Sequence, residues 1–566
     1  MKSFLPFFLI LIICWNSSAQ NLKLKIVGQT KSETIVIDSL HNNTFYKSLR
    51  AINDEVIKVT ASLTNKGYID IIVSEIEKLN DSTYIASFSL GKKIEFVHIT
   101  IPDTIITDKI IPSKDKIVII SYSKLDSFLN QIIQNLEEQG FALANAQLHT
   151  IERKENNLYA DLKIESTQKR LLNGITIRYS ENSRKNKFPE GHLKQINKKY
   201  HNKIFNQKTV QQVHEDFGKF RFVNQIKFPE ILFTKDSTTV FVYLEKTNAN
   251  TFDGFLGFAN DENNKIDLIG YLDVTLNNIL SYGEQLSLYW KSDGNDQKTF
   301  RGSFELPYLF KTPLGLKAQI NIFRQDSTFQ NTKTAIDLSY YINYSSRFYV
   351  GYQSTESSDI QNSVETTVSD FNNSFITSSF EYIKPDKTDS NFPVESKLQA
   401  TIGLGNRGIS NELGNSSDKQ YIINLHAIHN FYLNNKNSIY VNSQNLYLQS
   451  DRYLTNELFR FGGLNSIRGF AENSLEAYFS STIQTEYRYV IATNLYAHTI
   501  LDYSVFKNKT GVNSIDVTQN LFGLGLGLGL QTSNGLFKLS MANGRAKNQE
   551  FKFTNTIIHI SYNVKF

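Results

Sequence analysis

From Phe252 to the C-terminus the chain alternates apolar and polar residues with a period of two. Over residues 265–278, Ile266, Leu268, Leu272, Val274 and Leu276 fall on one face, while Asp267, Tyr271, Asp273 and Thr275 fall on the other. Over 282–291, Leu286, Leu288 and Trp290 oppose Gln285, Ser287 and Lys291. Leu524, Leu526, Leu528 and Leu530 alternate with Gly523, Gly525, Gly527 and Gly529. The closing segment places Ile558, Ile560, Tyr562, Val564 and Phe566 on one side, and His559, Ser561, Asn563 and Lys565 on the other. Side chains alternate across a strand, so each segment predicts a strand with one apolar face. A soluble sandwich alternates too. Sixteen such segments can be placed, starting near 252, 265, 282, 298, 314, 332, 346, 373, 394, 420, 437, 480, 495, 520, 535 and 555. Their number is even and their length suits a tilted membrane-crossing strand of roughly 9–11 residues. The expectation is a transmembrane antiparallel β-barrel over 251–566.

The N-terminal half has a different period. Over 124–139, Leu125, Phe128, Leu129, Ile132, Ile133 and Leu136 form one stripe at helical spacing. Ser123 with Asp126 matches a capping box, and Gly140 follows the helix end. Gly140-Phe141 lies 73 residues after Gly67-Tyr68, which follows a weaker stripe of Val56, Val59 and Leu63. After each glycine come a strand, a tight turn at Asn80-Asp81 or Asn156-Asn157, and another strand. A third unit puts Val210, Val213 and Phe217 on one helix face, with strands at 231–233 and 239–244. It has Phe220-Arg221-Phe222 where the others have glycine and an aromatic. Three unrelated α+β modules are one reading. The shared element order favours a tandem array over 20–100, 101–180 and 181–250.

Residues 1–19 read as a secretory leader: Lys2, an apolar stretch from Phe4 to Trp15, and Ser17-Ser18-Ala19 before Gln20. Ile13 stands before Cys14 where a lipoprotein would carry a small residue. Cleavage after Ala19 would remove the single cysteine. Beyond residue 20 no run of 18 apolar residues appears, which argues against membrane-spanning helices. Aromatic residues make up 13% of the chain, which suits strands. A net charge of +5, scattered over the length, argues against nucleic acid as partner.

The chemistry concentrates between the eleventh and twelfth predicted strands. There Phe461-Gly-Gly-Leu-Asn-Ser-Ile-Arg-Gly-Phe470 ends in Ile467, Arg468, Gly469 and Phe470. An arginine inside a barrel is costly unless paired, so lumen-facing carboxylates are expected near it. Glu486 lies on the polar face of the twelfth strand with Gln484 and Arg488, and Asp502 follows on the next. Arginine can grip a carboxylate through two bonds, as lysine cannot. Gly469 permits a sharp turn, Phe470 an anchor, and the glycine face of 521–530 leaves room for an inserted loop. Gly254 and Gly257 lie in a first strand that reads as short and weak. That strand must pair with the last to close the barrel.

The Arg468-Gly469-Phe470 loop and the aromatic-ended last strand resemble the BamA/TamA superfamily of outer-membrane assembly and translocation proteins. The tandem units resemble its POTRA domains. The resemblance implies a lumen-inserted loop at Ile467 to Phe470, with Asp502 as the matching acidic residue. Ile500 departs from the Phe or Gly that family members resemble there. It also implies outer-membrane location with periplasmic N-terminal domains, and partners among unfolded outer-membrane or exported proteins, the lipid bilayer and accessory periplasmic proteins or lipoproteins. The C-terminal strand signal falls on Ile560, Tyr562, Val564 and Phe566. The expected activity is insertion of β-barrel clients at the seam, without catalysis or cofactor. A dedicated secretion pore for one or a few proteins is the alternative; such pores usually carry two POTRA domains and a plug helix.

A barrel enzyme is a third reading. Gly403-Leu-Gly405-Asn-Arg-Gly408 matches a dinucleotide fingerprint, but no helix follows to receive phosphate. No nucleophile elbow or phosphate-binding P-loop is present. His426 and His429, three apart in a strand, face opposite ways and make a poor metal pair.

Overall fold

The computed structural model describes residues 21–565, apart from 41–42, 103–115, 166–167, 180–187, 261–265, 293–296, 362–366, 387–390, 412–413, 511–515, 534 and 548–550. The expected leader, Cys14 and Phe566 lie outside the described residues.

Three small α+β sheets precede a barrel. In the first, Leu22–Gly28 pairs in parallel with Thr83–Ser89. Helix Leu49–Asn65 covers them, burying Ile52, Val56, Val59 and Leu63 against Leu24, Ile26 and Phe88. In the second, Phe96–Thr100 pairs in parallel with Asn157–Glu165, and helix Leu125–Glu138 supplies Ile132 and Leu136 to the core. In the third, Gly174–Tyr179 pairs in parallel with Thr238–Lys246, and Val210, Val213 and Phe217 of helix Gln207–Gly218 are buried. Gly67 and Gly140 both take left-handed backbone, φ +103° and +98°, directly after a helix. A side chain at Gly67 would place its Cβ 2.1 Å from the Ile94 carbonyl oxygen. The repeated glycine is thus a helix stop that only glycine fills without strain.

Several expectations need correction. No side chain caps helix Leu125–Glu138: a 3-10 turn, Tyr122–Lys124, leads into it and takes up Ser123, whose hydroxyl bonds Ser121 instead. Two further helices, Lys31–Asp38 and Glu190–Tyr200, escaped the sequence reading; the first spans about two turns, too short for a periodic stripe. The first is marked by a true capping box between Thr30 and Glu33. Strands Phe96–Thr100 and Gly174–Tyr179 belong to the second and third sheets, so those sheets begin ahead of residues 101 and 181.

The barrel is closed, with sixteen strands in sequence order. They run from Thr251–Asn260 to Ile557–Lys565. The first strand is not short: its ten residues all pair with the second strand, Ile266–Asn277. Gly254 and Gly257 sit in that well-paired ladder opposite Leu272 and Ile269. The wall shows why the period of two matters. On the sixth strand, Phe329–Asn343, Ile336, Leu338, Tyr340 and Ile342 are exposed outward, while Lys333, Asp337 and Ser339 alternate with them on the lumen side. Leu524, Leu526 and Leu528 are likewise exposed on the fourteenth strand, Val517–Gln531. This closed sheet with an apolar outer face and polar lumen suits lipid outside and water inside. No helix among the described residues is long and apolar enough to cross a membrane.

Candidate functional site: the lumen loop and the barrel seam

The connection between the eleventh strand, Asn437–Gln449, and the twelfth, Phe479–Ala492, folds into the barrel. It carries a two-stranded ribbon, Phe459–Phe461 against Leu475–Ala477, which the sequence pattern does not reveal. At its tip Gly462 and Gly463 take φ +115° and +90°, the Ser466 hydroxyl accepts from Gly462 N at 2.7 Å, and Gly463 N donates to the Ile467 carbonyl at 3.1 Å. These bonds fold the tip on itself and project Arg468 at the wall.

Arg468 is almost fully buried. Its Nε donates to Asp502 Oδ2 at 2.8 Å, its Nη2 to Asp502 Oδ1 at 2.6 Å, and its backbone N to Asp502 Oδ2 at 3.0 Å. Nη1 donates to Glu486 Oε1. The second oxygen of Glu486 accepts from Arg488 Nε at 2.7 Å, and Arg488 Nη1 reaches Asn430 Oδ1 at 2.9 Å. The Arg488 guanidinium lies 4.1 Å from the Tyr440 ring centroid and 4.4 Å from that of Phe392. Glu486 thus stands between two arginines, while Asp502 serves Arg468 alone, and each charge is held by directed bonds. Breaking such a buried set from one side leaves an unpaired charge and costs about 3–5 kcal/mol.

The loop backbone needs space as well as charge. Asn442, Gln484, Asp502, Gly523 and Gly544 form one row across strands eleven to fifteen. A Cβ at Gly523 would stand 2.3 Å from the Arg468 carbonyl oxygen, and one at Gly544 would stand 2.4 Å from that of Gly469 and 2.7 Å from the Phe470 ring. Gly469 has φ +89°, and a Cβ there would strike Asn543 at 2.4 Å. Two adjacent strands therefore present bare backbone under residues 468–470. Ile467 and Phe470 close the contact by packing with Phe461, Ala477, Phe506 and Leu521. Gln484 Nε2 bonds the Leu464 carbonyl at 3.1 Å, and Gln444 Nε2 that of Asn465 at 2.6 Å. Gly544 and Gln444 went unnoticed in the sequence. A glycine inside a strand, as in Asn543-Gly544-Arg545, was the available sign of close backbone approach.

The seam differs from the rest of the wall. Among the described residues, backbone pairing of the first strand with the last is confined to Thr251 opposite Lys565 and Phe252 opposite Val564. The last strand pairs with the fifteenth, Gly535–Arg545, from Val564 to Ile557. Ile558, Ile560 and Tyr562 of the last strand point outward. The structure does not bring Gly254 or Gly257 into the seam pairs. Gly403 to Gly408 lie inside the ninth strand, Val394–Asn411, away from any helix start.

A scan of family models and a search of curated proteins find no match. Among solved structures, CdiB from Acinetobacter baumannii is similar over 84% of this chain and 90% of its own, at 18% identity and a TM-score of 0.50. CdiB from Escherichia coli matches over 91% and 97%, at 12% identity and a TM-score of 0.48. BamA from Haemophilus ducreyi lacking POTRA domains 1–3 matches over 78% and 94%, at 14% identity and a TM-score of 0.47.

Proposed function

We propose that this chain, which has a BamA/TamA-type fold, inserts or translocates other proteins at the bacterial outer membrane. The small domains would face the periplasm and hold unfolded clients. The observation that carries the proposal is the seam, which among the described residues has two residue pairs where the neighbouring ladder has ten. Unpaired backbone N–H and C=O groups in lipid are each costly, and they are templates for an incoming strand. A client strand that pairs with the first or last strand satisfies them, so client folding itself supplies the driving force and no nucleotide is required. The buried Arg468 cluster supports the same reading, because it holds the loop inside the lumen against the twelfth to fifteenth strands, which lead up to the last strand of the seam.

The experiment is quantitative proteomics of the outer membrane after depletion of the protein, with an Arg468→Ala strain alongside. A broad fall in β-barrel proteins in both supports insertion that depends on the loop. Loss of one or a few exported proteins, with other barrels unchanged, replaces this reading with that of a dedicated secretion pore.

A further inference from the structure

The loop has a second buried ion cluster, on a different stretch of wall from Arg468. Arg407, on the ninth strand, is completely buried. Its Nη2 donates to Asp418 Oδ2 at 2.5 Å, and its Nη1 donates to Glu457 Oε2 and to the Arg452 carbonyl oxygen at 3.1 Å. Asp418 is the residue directly opposite Arg407 on the tenth strand, so the wall by itself gives this arginine one carboxylate. The second, Glu457, comes from the loop. Its other oxygen accepts from Gln420 Nε2 of the tenth strand. The Glu457 side chain is 2% exposed, so without Arg407 it would be a buried, uncompensated charge.

The turn that carries Glu457, Thr455–Glu457, is fixed from several strands at once. Asn456 Nδ2 donates to Ser357 Oγ at 2.7 Å and to the Ser369 carbonyl at 2.8 Å, and the Asn456 carbonyl accepts from Asn331 Nδ2 at 2.6 Å. From this turn the ribbon leads straight to the tip. It is braced by the Arg460–Glu476 ion pair, and Arg460 also bonds Gln325 at 2.9 Å and lies over the rings of Phe323 and Phe329. The ribbon is therefore a short, stiff arm between Glu457 and Arg468. Where the arm starts decides whether the guanidinium of Arg468 reaches Asp502.

We infer that Arg407, with Asp418 and Glu457, is a positioning residue for the lumen loop: a second latch that sets the reach of Arg468, so that the loop leaves the lumen only when both ion clusters part. Arginine is required because two terminal nitrogens serve two separate carboxylates, a task the single ammonium of lysine performs poorly. The consequence for clients rests on the proposed function; the latch itself does not.

The test uses the full chain in lipid bilayers with a nitroxide at the exposed loop-tip position, Asn465→Cys. The spectrum of the parent is expected to be immobilised. Glu457→Gln and Arg407→Met are expected to raise the ratio of withdrawn to inserted loop on the order of 100-fold, with Arg407→Lys in between. Heat resistance of the folded barrel on gels should stay unchanged in Glu457→Gln, a readout that separates positioning from general stability. If Arg407→Met fails to fold, the isosteric loop variant Glu457→Gln decides. A folded barrel whose label stays as immobile as the parent's in Glu457→Gln overturns the latch. Client insertion is measured in parallel: a freed label with insertion unaltered upholds the latch and counts against the loop's role in the proposed function.

Discussion

The two edges of the first barrel strand make an instructive contrast. Among the described residues it pairs along its whole length toward the second strand, and at two positions toward the last. Both edges present the same backbone groups, each worth roughly 0.5–1.5 kcal/mol net when bonded. Among the described residues the wall therefore has one weak line, and it lies at the junction of the first strand with the last, which are not neighbours in sequence. Every other pair is tied by its own connecting turn or loop, which fixes register at small entropic cost. The seam has no such tie and depends on closure of the whole sheet. The loop cluster is the opposite case: it is also built from distant segments, yet buried charges hold it with several directed bonds. One barrel thus combines a tightly held loop with a loosely closed wall.

The largest effect is expected from abolishing the contrast. Phe252→Cys with Val564→Cys places two cysteines at a seam pair. Oxidation should eliminate client insertion in a reconstituted bilayer assay, and reductant should restore it; full insertion with the disulfide formed would remove lateral opening from the proposal. Next comes the loop floor. Gly523→Val forces a side chain into the space of the Arg468 carbonyl, which should cost about 1–3 kcal/mol as an overpacked contact and expose residues 462–470 to added protease. Gly174→Ala, where nothing lies within 4 Å, is the control and should leave cleavage unchanged.

A smaller change sharpens the comparison from the charge side. Arg468→Lys keeps the positive charge but loses the paired grip on Asp502. Roughly a tenfold shift toward a withdrawn loop is expected, about 1.4 kcal/mol, read as protease sensitivity intermediate between the parent and Arg468→Ala.

The smallest effect concerns the joint between the third small domain and the barrel. His192 is buried among Phe188, Phe220, Tyr308 and Tyr344, with neither ring nitrogen hydrogen-bonded. Burial, and secondarily the charge of Arg347, pull its pKa down to about 3. The folded ring thus stays neutral while an unfolded histidine would take up a proton below about 6.5. Its contribution is whole above pH 6.5 and declines as pH falls from there toward 3. His192→Phe should flatten that part of the profile of joint stability, measured by limited proteolysis after helix Glu190–Tyr200. An unchanged profile would exclude His192 as its source.

Much of this was legible in one dimension. A period of two is a statement about which side of a strand faces lipid, so sixteen strands and the outward leucines of residues 524–530 could be read directly. The stripe of Val210, Val213 and Phe217 was equally readable. Arg468 could be matched with Glu486 and Asp502 because a buried guanidinium demands carboxylates, and because the family resemblance implies an acidic residue at Asp502. The helix start near Ser123 was misread, since a local capping pattern does not reveal a preceding 3-10 turn. Arg407 drew notice only as part of a glycine motif, because nothing in its neighbourhood announces that Glu457, fifty residues on, comes to rest against it.

The sequence by itself determined the barrel strands and the long helices, their inward and outward faces and the residue types able to hold a loop in a polar lumen. These follow from local periodicity and from the chemistry of single side chains. Only the tertiary structure decided how little the first and last strands pair, that Gly523 and Gly544 lie side by side beneath Gly469, and that the loop is held at two places. Those facts depend on register and on closure of the sheet. Both are set by contacts between segments far apart in the chain, whose distances no pattern along the sequence contains.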